Sequence, residues 1–576
     1  MQLSVENYMV HHYPAIESFP SVAKKVLFST MKKFFHENQI NIFMADNAHK
    51  DTFSYVEAIV DYFDISISLK TNELTRIPAY GRTVIIANHP LGALDATALL
   101  HLLKDVRKDI KIVANSFLYQ FDNLKDIIIP VDNVQGKMSK ETVKRIYKAL
   151  EAEEAVIIFP SGEVSRAKPH GIKDTPWKSG FLKIASKMQA PILPIYIKAT
   201  NSKNFYLLSM LNRSLATVTL PHEMFKAKGK TIEFKIGKSI AYDAYNVPNL
   251  SQNERVKLLR KHLYKVAKNH KPIFATQNEI SVPEERHELK SELKNGTLVG
   301  ETTDGKSIIV YESEVENCVI KEIGRLREIS FRHVGEGSGK KRDIDGYDFY
   351  YKHLIIWDDD ALEIAGAYRL GMCSEIINDF DLEGLYTSTL FKFDKNFEPY
   401  LGKSIELGRS FVQPKYWNSR ALDYLWQGIG AYVSTHPEIQ YLFGAVSLSD
   451  NFNQKAKGLI IYFYQKYFGN NEDLVTHKVP YSAATWVQKH CENVFSGEDY
   501  RTDIKILKEE LGFMGYAIPT LFKQYGELCE VGGMQFLDFG YDKDFNYCID
   551  GFIVANLNLL KASKRKRYFG NDYRLS

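Results

Sequence analysis

An apolar, β-branched run, Val84-Ile85-Ile86-Ala87, breaks into Asn88-His89-Pro90-Leu91-Gly92-Ala93-Leu94-Asp95. No other stretch constrains the chain as tightly. The run reads as a buried strand. Pro90 ends its pairing, and Gly92 allows a tight turn. Asp95 stands where a helix N-cap would, ahead of the helical stretch Ala96–Leu103. A histidine at a strand end and a carboxylate one turn away are placed to meet. The carboxylate then fixes the imidazole tautomer and stabilises the imidazolium, which makes a general base. Read alone, the octapeptide fits that base or a histidine satisfied within a turn.

Strand and helix patterns alternate on either side. Ile110–Asn115, Ile127–Val131, Ala155–Pro160 and Pro191–Ile197 read as buried strands, with helices over Lys140–Glu154 and around Phe181–Met188. Alternation of this kind predicts an α/β layer fold with a largely parallel sheet. Sites in such sheets lie beyond the carboxyl ends of strands. The His89 segment and the loop Ser161-Gly162-Glu163-Val164-Ser165-Arg166 both follow strands, so they are expected in one cleft.

The three blocks Asn88-His89…Asp95, Phe159-Pro160-x-Gly162 and Pro191-Ile192-Leu193-Pro194 resemble those of the lysophosphatidic-acid acyltransferase class of glycerolipid acyltransferases, over residues 60–240. In that family the histidine deprotonates an acceptor hydroxyl, which attacks the thioester of acyl-carrier protein or coenzyme A. The resemblance makes His89 the base and Asp95 its orienting partner. It places Asn88, Phe159, Pro160, Ser161, Gly162, Glu163 and Arg166 at the acceptor. Two departures are visible. Five residues, not four, separate His89 from Asp95, and Ser161 stands where the family has glutamate. This variant resembles the branch acting on lyso-ornithine lipid and its hemolysin-like relatives.

With 576 residues the chain has room for two large domains or three to four small ones. The signal fades over residues 271–306, which carry Pro272, Pro283, Asn295-Gly296 and Asp304-Gly305 and read as a linker. A second α+β unit is expected over 307–576. It begins with strand Ile308–Tyr311 and a helix over Glu314–Arg332, then a Gly- and Lys-rich loop, Gly335–Lys341, read as flexible. Asp343-x-Asp345-x-x-Asp348 lacks the ligand spacing of a calcium loop. Lys415 and Arg420 flank the start of helix Ala421–Val433, a place that suits a phosphate.

This second order resembles the GNAT superfamily, and more narrowly its ornithine N-acyltransferase and acyl-homoserine-lactone synthase branch. The matched pieces are Arg327-x-x-x-Phe331, Asp345-x-x-Asp348, Gly366-x-Tyr368-Arg369-Leu370 and Glu406-Leu407-x-Arg409-x-x-Val412. By that resemblance Arg327, Asp345, Asp348, Arg369 and Arg409 bind the amino-acid-like acceptor. Glu406 is expected to take the proton of the attacking amine.

Net charge is only +4, so no bulk field argues for nucleic acid. Five scattered cysteines with no Cys-x-x-Cys pair suggest a reducing compartment and no metal site. No secretory signal and no spanning apolar run is visible. Residues 1–50 hold an amphipathic pattern over Val22–His36, with Val26, Leu27, Met31, Phe34 and Phe35 opposed to Lys25, Lys32 and Lys33. This fits a helix in a membrane interface or one packed on its own domain. The tail carries Lys561, Lys564, Arg565, Lys566, Arg567 and Arg574, a patch for an acidic carrier protein or anionic lipid.

Together the two resemblances imply a fused ornithine-lipid synthase of two acyltransferases, an O-acyltransferase over 51–270 and an N-acyltransferase over 307–576. It would be cytoplasmic and peripheral on the inner face of the cytoplasmic membrane. It would need no cofactor beyond an acyl-acyl-carrier protein or acyl-CoA co-substrate. Glycine or another amino acid as acceptor stays open. So does a non-catalytic second unit that recruits acyl-carrier protein.

Overall fold

A computed structural model describes residues 3–6, 10, 16, 18–131, 139–169, 171–470, 472–543, 545 and 547–569. The chain divides into two compact units, Met1–Glu279 and Ile280–Ser576.

The first unit is built on seven strands: β1 (Ser66–Ser68), β2 (Thr83–Ala87), β3 (Ile110–Asn115), β4 (Ile128–Val131), β5 (Ala155–Ile158), β8 (Ile192–Lys198) and β9 (Thr231–Ile236). A two-stranded hairpin, β6 (Arg166–Lys168) with β7 (Gly171–Lys173), stands apart from that sheet. The sheet order is β1-β9-β8-β2-β5-β3-β4. Neighbours run parallel, except that β9 is antiparallel to β8.

Strand alternation sorts β2 between two cores. Ile85 and Ala87 face helices Thr52–Tyr62 and Ala93–Leu103, while Val84 and Ile86 face helices Lys140–Glu151, Gly180–Lys187 and Gln252–Val266. A sheet covered on both faces explains why these strands read as continuous apolar runs. β2 and β5 are parallel neighbours, with Ile85 opposite Ile157. Their carboxyl ends therefore deliver His89 and Phe159 side by side.

One local detail differs from the sequence reading. The helix begins at Ala93, not after Asp95, because Gly92 takes the cap position at φ +95°. Asp95 becomes the third helical residue and reaches back to the open amides of the turn.

The second unit holds an eight-stranded sheet ordered β10-β11-β12-β13-β15-β16-β19-β18. These strands are β10 (Thr297–Glu301), β11 (Ser307–Tyr311), β12 (Lys352–Asp358), β13 (Glu363–Met372), β15 (Ser404–Val412), β16 (Tyr441–Leu448), β18 (Met534–Asp542) and β19 (Cys548–Asn556). A separate pair joins β14 (Phe391–Phe393) to β17 (Val475–His477). The large sheet is antiparallel except for β15 against β16, which are parallel and paired only over Ser404–Glu406 with Tyr441–Phe443.

Helices Ala421–Ser434 and Gln454–Phe468 cover one face, and Cys318–His333 covers the other. The stretch read as a linker is structured. It contains helix Arg286–Glu292 and edge strand β10, whose Leu289 and Leu293 neighbourhood joins the second core. Gly296 and Gly305 sit at the turns on either side of β10, and Pro272 and Pro283 lie in the irregular stretch ahead of the helix. Lys561 to Arg567 of the basic tail fall on helix Ala562–Phe569 and its approach, and Arg574 lies outside the described residues.

Candidate active sites

His89 emerges from β2 with its Nδ1 3.2 Å from Asp95 Oδ2. The histidine side chain is 19 % exposed and the aspartate fully buried. The same Oδ2 accepts the amides of Leu91 at 2.7 Å and Gly92 at 3.1 Å. Asp95 thus caps the helix and orients the imidazole with one oxygen. Burial pushes its carboxyl above the usual range, and the His89 contact and the two amides pull it back. The His89 ring stacks on Phe159, centroids 4.1 Å apart. With Nδ1 turned to Asp95, Nε2 is the nitrogen left for a substrate proton.

His89 and Phe159 border a cavity of ≈ 570 Å³. Its body is apolar: Ala96, Leu100, Ile112, Leu118, Leu124, Phe43, Tyr62 and Phe225 line it. Pro160, Gly162, Glu163, Arg166 and Lys178 stand near the histidine end. The arrangement sets an imidazole at the polar end of an apolar slot.

The expected acceptor residues divide in two. Phe159, Pro160, Gly162, Glu163 and Arg166 do line the cavity. Arg166 is buried and already engaged by Glu163 at 3.1 Å, Ser209 at 3.0 Å and Thr217 at 3.1 Å. Asn88 and Ser161 do not face the cavity. Asn88 exchanges two hydrogen bonds with the Ile197 main chain, locking β2 to β8 beyond their last ladder pair. Ser161 donates to the Glu163 carbonyl at 2.7 Å and shapes the loop. Both correct the expectation that they bind acceptor. Lys178 was missed: a single exposed lysine ahead of a helix has no pattern, yet the Gly162 turn at φ +68° brings it to the cavity.

In the second unit the expected residues do converge. Arg327 holds Asp348 with two nitrogens, at 3.0 and 3.2 Å, inside the fold. Arg369 holds Asp345 at 2.6 Å and Asp348 at 3.3 Å. Arg409 reaches Asp345 at 3.4 Å and Asp343 at 3.8 Å. Burial would raise the Asp348 carboxyl, but Arg327 and Arg369 outweigh it and hold it far below the usual range.

Tyr347, Tyr351 and Tyr386 surround the Arg369 guanidinium, centroids 5.2–5.4 Å away. Arg369 Nε and Nη2 and Arg409 Nε have no hydrogen-bond partner. Arg409 sits at φ +51° where β13 and β15 shift register, so its side chain leaves the ordinary pleat.

Glu406 is placed differently from its expected role. It is 1 % exposed. Its oxygens accept the Tyr351 hydroxyl, the Tyr386 amide at 3.1 Å and the Thr387 amide at 2.6 Å. Three donors on a buried carboxylate make an anchor for the Tyr386–Thr389 turn, leaving no lone approach for an amine.

Glu336 was not singled out by the sequence. It is buried, accepts Ser447 Oγ–H at 2.8 Å, and burial pushes its carboxyl up to about 7. The loop that carries it is not free to swing. Glu328 accepts the Ser338 amide and hydroxyl and the Gly339 amide, at 2.7–3.0 Å, which corrects the flexible reading of Gly335–Lys341.

Residues 15–271 match the family model "Acyltransferase", and residues 326–427 match "Acetyltransferase (GNAT) domain". The chain is 34 % identical over 307 residues to a glycine N(alpha)-acyltransferase of Phocaeicola vulgatus, covering 50 % of this chain and 92 % of that one. The chain belongs to the acyltransferases. This acyltransferase is also 28 % identical over 225 residues to a lyso-glycine lipid O-acyltransferase of the same organism, covering 38 % of this chain and 80 % of the relative. It is 33 % identical over 128 residues to an L-ornithine N(alpha)-acyltransferase of Rhizobium meliloti, covering 21 % of this chain and 42 % of the relative. One acyltransferase chain thus carries both N- and O-acyltransferase likenesses.

Proposed function

We propose that this acyltransferase assembles a diacylated glycine lipid in two steps. The second unit transfers a 3-hydroxyacyl group from its thioester to the glycine amine, breaking the C–S bond and releasing the carrier thiol with the amine's proton. The first unit then esterifies the new lipid's hydroxyl with a second acyl thioester. In that step His89 Nε2 takes the hydroxyl proton, the oxygen attacks the thioester carbonyl, and the leaving thiolate takes the proton back from the imidazolium. Acyl-carrier protein or coenzyme A supplies both acyl groups.

The observation that carries the reading is the His89–Asp95 pair at the polar end of an apolar cavity. Glycine is favoured over ornithine because the relative named for glycine is covered nearly whole, and the one named for ornithine less than half. The second unit agrees. Asp345 and Asp348 are already engaged by Arg327, Arg369 and Arg409, so neither is an open partner for the side-chain ammonium of ornithine.

A single-chain amphiphile passes between the steps, so contact with a membrane follows. Among the described residues no helix is long and apolar enough to cross one. Helix Ser21–Phe34 exposes Val22 and Val26, and helix Lys203–Leu211 exposes Leu207, Met210 and Leu211. Neither helix contains an acidic residue. Both suit the interface of an anionic bilayer.

The test is lipid mass spectrometry of a host without aminolipids that expresses this chain. Diacylated glycine lipid is expected, and the His89→Ala chain should stop at the monoacylated lyso-lipid. Ornithine in the product, or diacylated lipid from the His89→Ala chain, would refute the reading.

A further inference from the structure

The main chain around His89 lies beyond the end of β2 and has no ladder to hold it. Side chains from elsewhere take its place. Asp174, fully buried just past the hairpin β6–β7, accepts the His89 amide at 3.2 Å and the Ser165 hydroxyl at 2.6 Å on Oδ1. Its Oδ2 accepts Trp177 Nε1–H at 2.9 Å. Ser165 in turn donates its own amide to the His89 carbonyl at 2.7 Å. Both peptide groups of His89 are therefore taken by one linked pair.

The pair is itself braced. The Asp174 amide donates to Tyr264 Oη at 2.8 Å, and Arg260 Nη2 donates to the Asp174 carbonyl at 2.5 Å, both from helix Gln252–Val266. The three partners of the carboxylate, the His89 amide, the Ser165 hydroxyl and Trp177 Nε1–H, are all donors, the arrangement that suits an ionised group. Burial pushes the Asp174 carboxyl above the usual range, and the three donors oppose that shift.

We infer that Asp174, through Ser165, is a positioning residue for ester formation: it fixes the His89 main chain and adds a second negative charge behind the imidazole. Asp95 sets the ring's tautomer, and Asp174 sets where the ring stands. A base displaced by a fraction of an ångström loses rate without losing substrate binding. The inference rests on His89 being the base of the first unit.

The experiment uses the full chain, a synthetic N-(3-hydroxyacyl)glycine and an acyl thioester. Asp174→Asn and Ser165→Ala should lower kcat for ester formation by about 10- to 100-fold, with KM for the lyso-lipid changed less than about 2-fold. Asp174→Asn, which keeps an acceptor oxygen but loses the charge, should also move the acidic limb of the rate profile to lower pH. Tyr245→Phe removes a buried hydrogen bond to Ala190, remote from the site, and serves as the stability control. It should lower Tm and leave kcat intact.

Should Asp174→Asn fail to fold, Ser165→Ala carries the same kcat-against-KM test. Unchanged kcat in Ser165→Ala, or an Asp174→Asn chain with native kcat and pH profile, would overturn the inference. An active His89→Ala chain would instead remove the base assignment, and this inference with it.

Discussion

Glu406 shows how a residue type can suggest one role and its neighbours another. A carboxylate near an amine site reads as a base, but the Tyr351 hydroxyl and the Tyr386 and Thr387 amides already converge on it. Glu406→Ala strands those buried donors and should destabilise the second unit by about 3 kcal/mol. Chemical unfolding of the full chain measures this. A variant of native stability that lost only amide formation would restore Glu406 as a base. His89 and Asp95 were legible because strand end, turn and helix start fall within eight residues of sequence. Asp174 was not, since it reaches His89 across 85 residues and no local pattern encodes that. Asn88 lay in the right motif, yet its partner Ile197 is 109 residues away, near the end of β8.

At the scale of elements, the parallel core strands were legible because burial on both faces writes them as unbroken apolar runs. β1 and β10 were not, being short, partly exposed edge strands, and β9 alternates buried Ile232, Phe234 and Ile236 with polar neighbours instead of running as an unbroken apolar stretch. The loop Gly335–Lys341 looked mobile from its glycines and lysines, but Glu328 on helix Cys318–His333 pins it. That pinned loop holds Glu336 buried, against the Ser447 hydroxyl and near Asp550. Its carboxyl, at about 7 instead of 4.5, binds its proton more tightly in the folded state. The stability this gives is complete below pH 4.5 and is lost as pH rises through 7. Glu336→Gln should therefore stabilise the second unit at pH 8 by up to about 3 kcal/mol, with no gain at pH 4. Thermal unfolding at the two pH values decides it. Equal effects at both would show that the group does not titrate in this range.

For the whole molecule, one chain joins an acyltransferase unit to a unit with a GNAT match. Replacing Leu207, Met210 and Leu211 with serine removes the most exposed apolar stripe of the first unit, Leu211 being 86 % exposed. Sedimentation with phosphatidylglycerol vesicles should fall by about 10-fold or more, and activity on detergent-dispersed lyso-lipid should persist. Undiminished sedimentation would exclude this helix from the bilayer contact. The stacking of His89 on Phe159 has a consequence of its own. On the proposed mechanism the proton acceptor leans on the same loop that borders the incoming alcohol, so a change in that loop chosen to admit a new alcohol also shifts the imidazole. Taste for substrate and strength of the base are tied together here, and an engineer who retunes one inherits a change in the other.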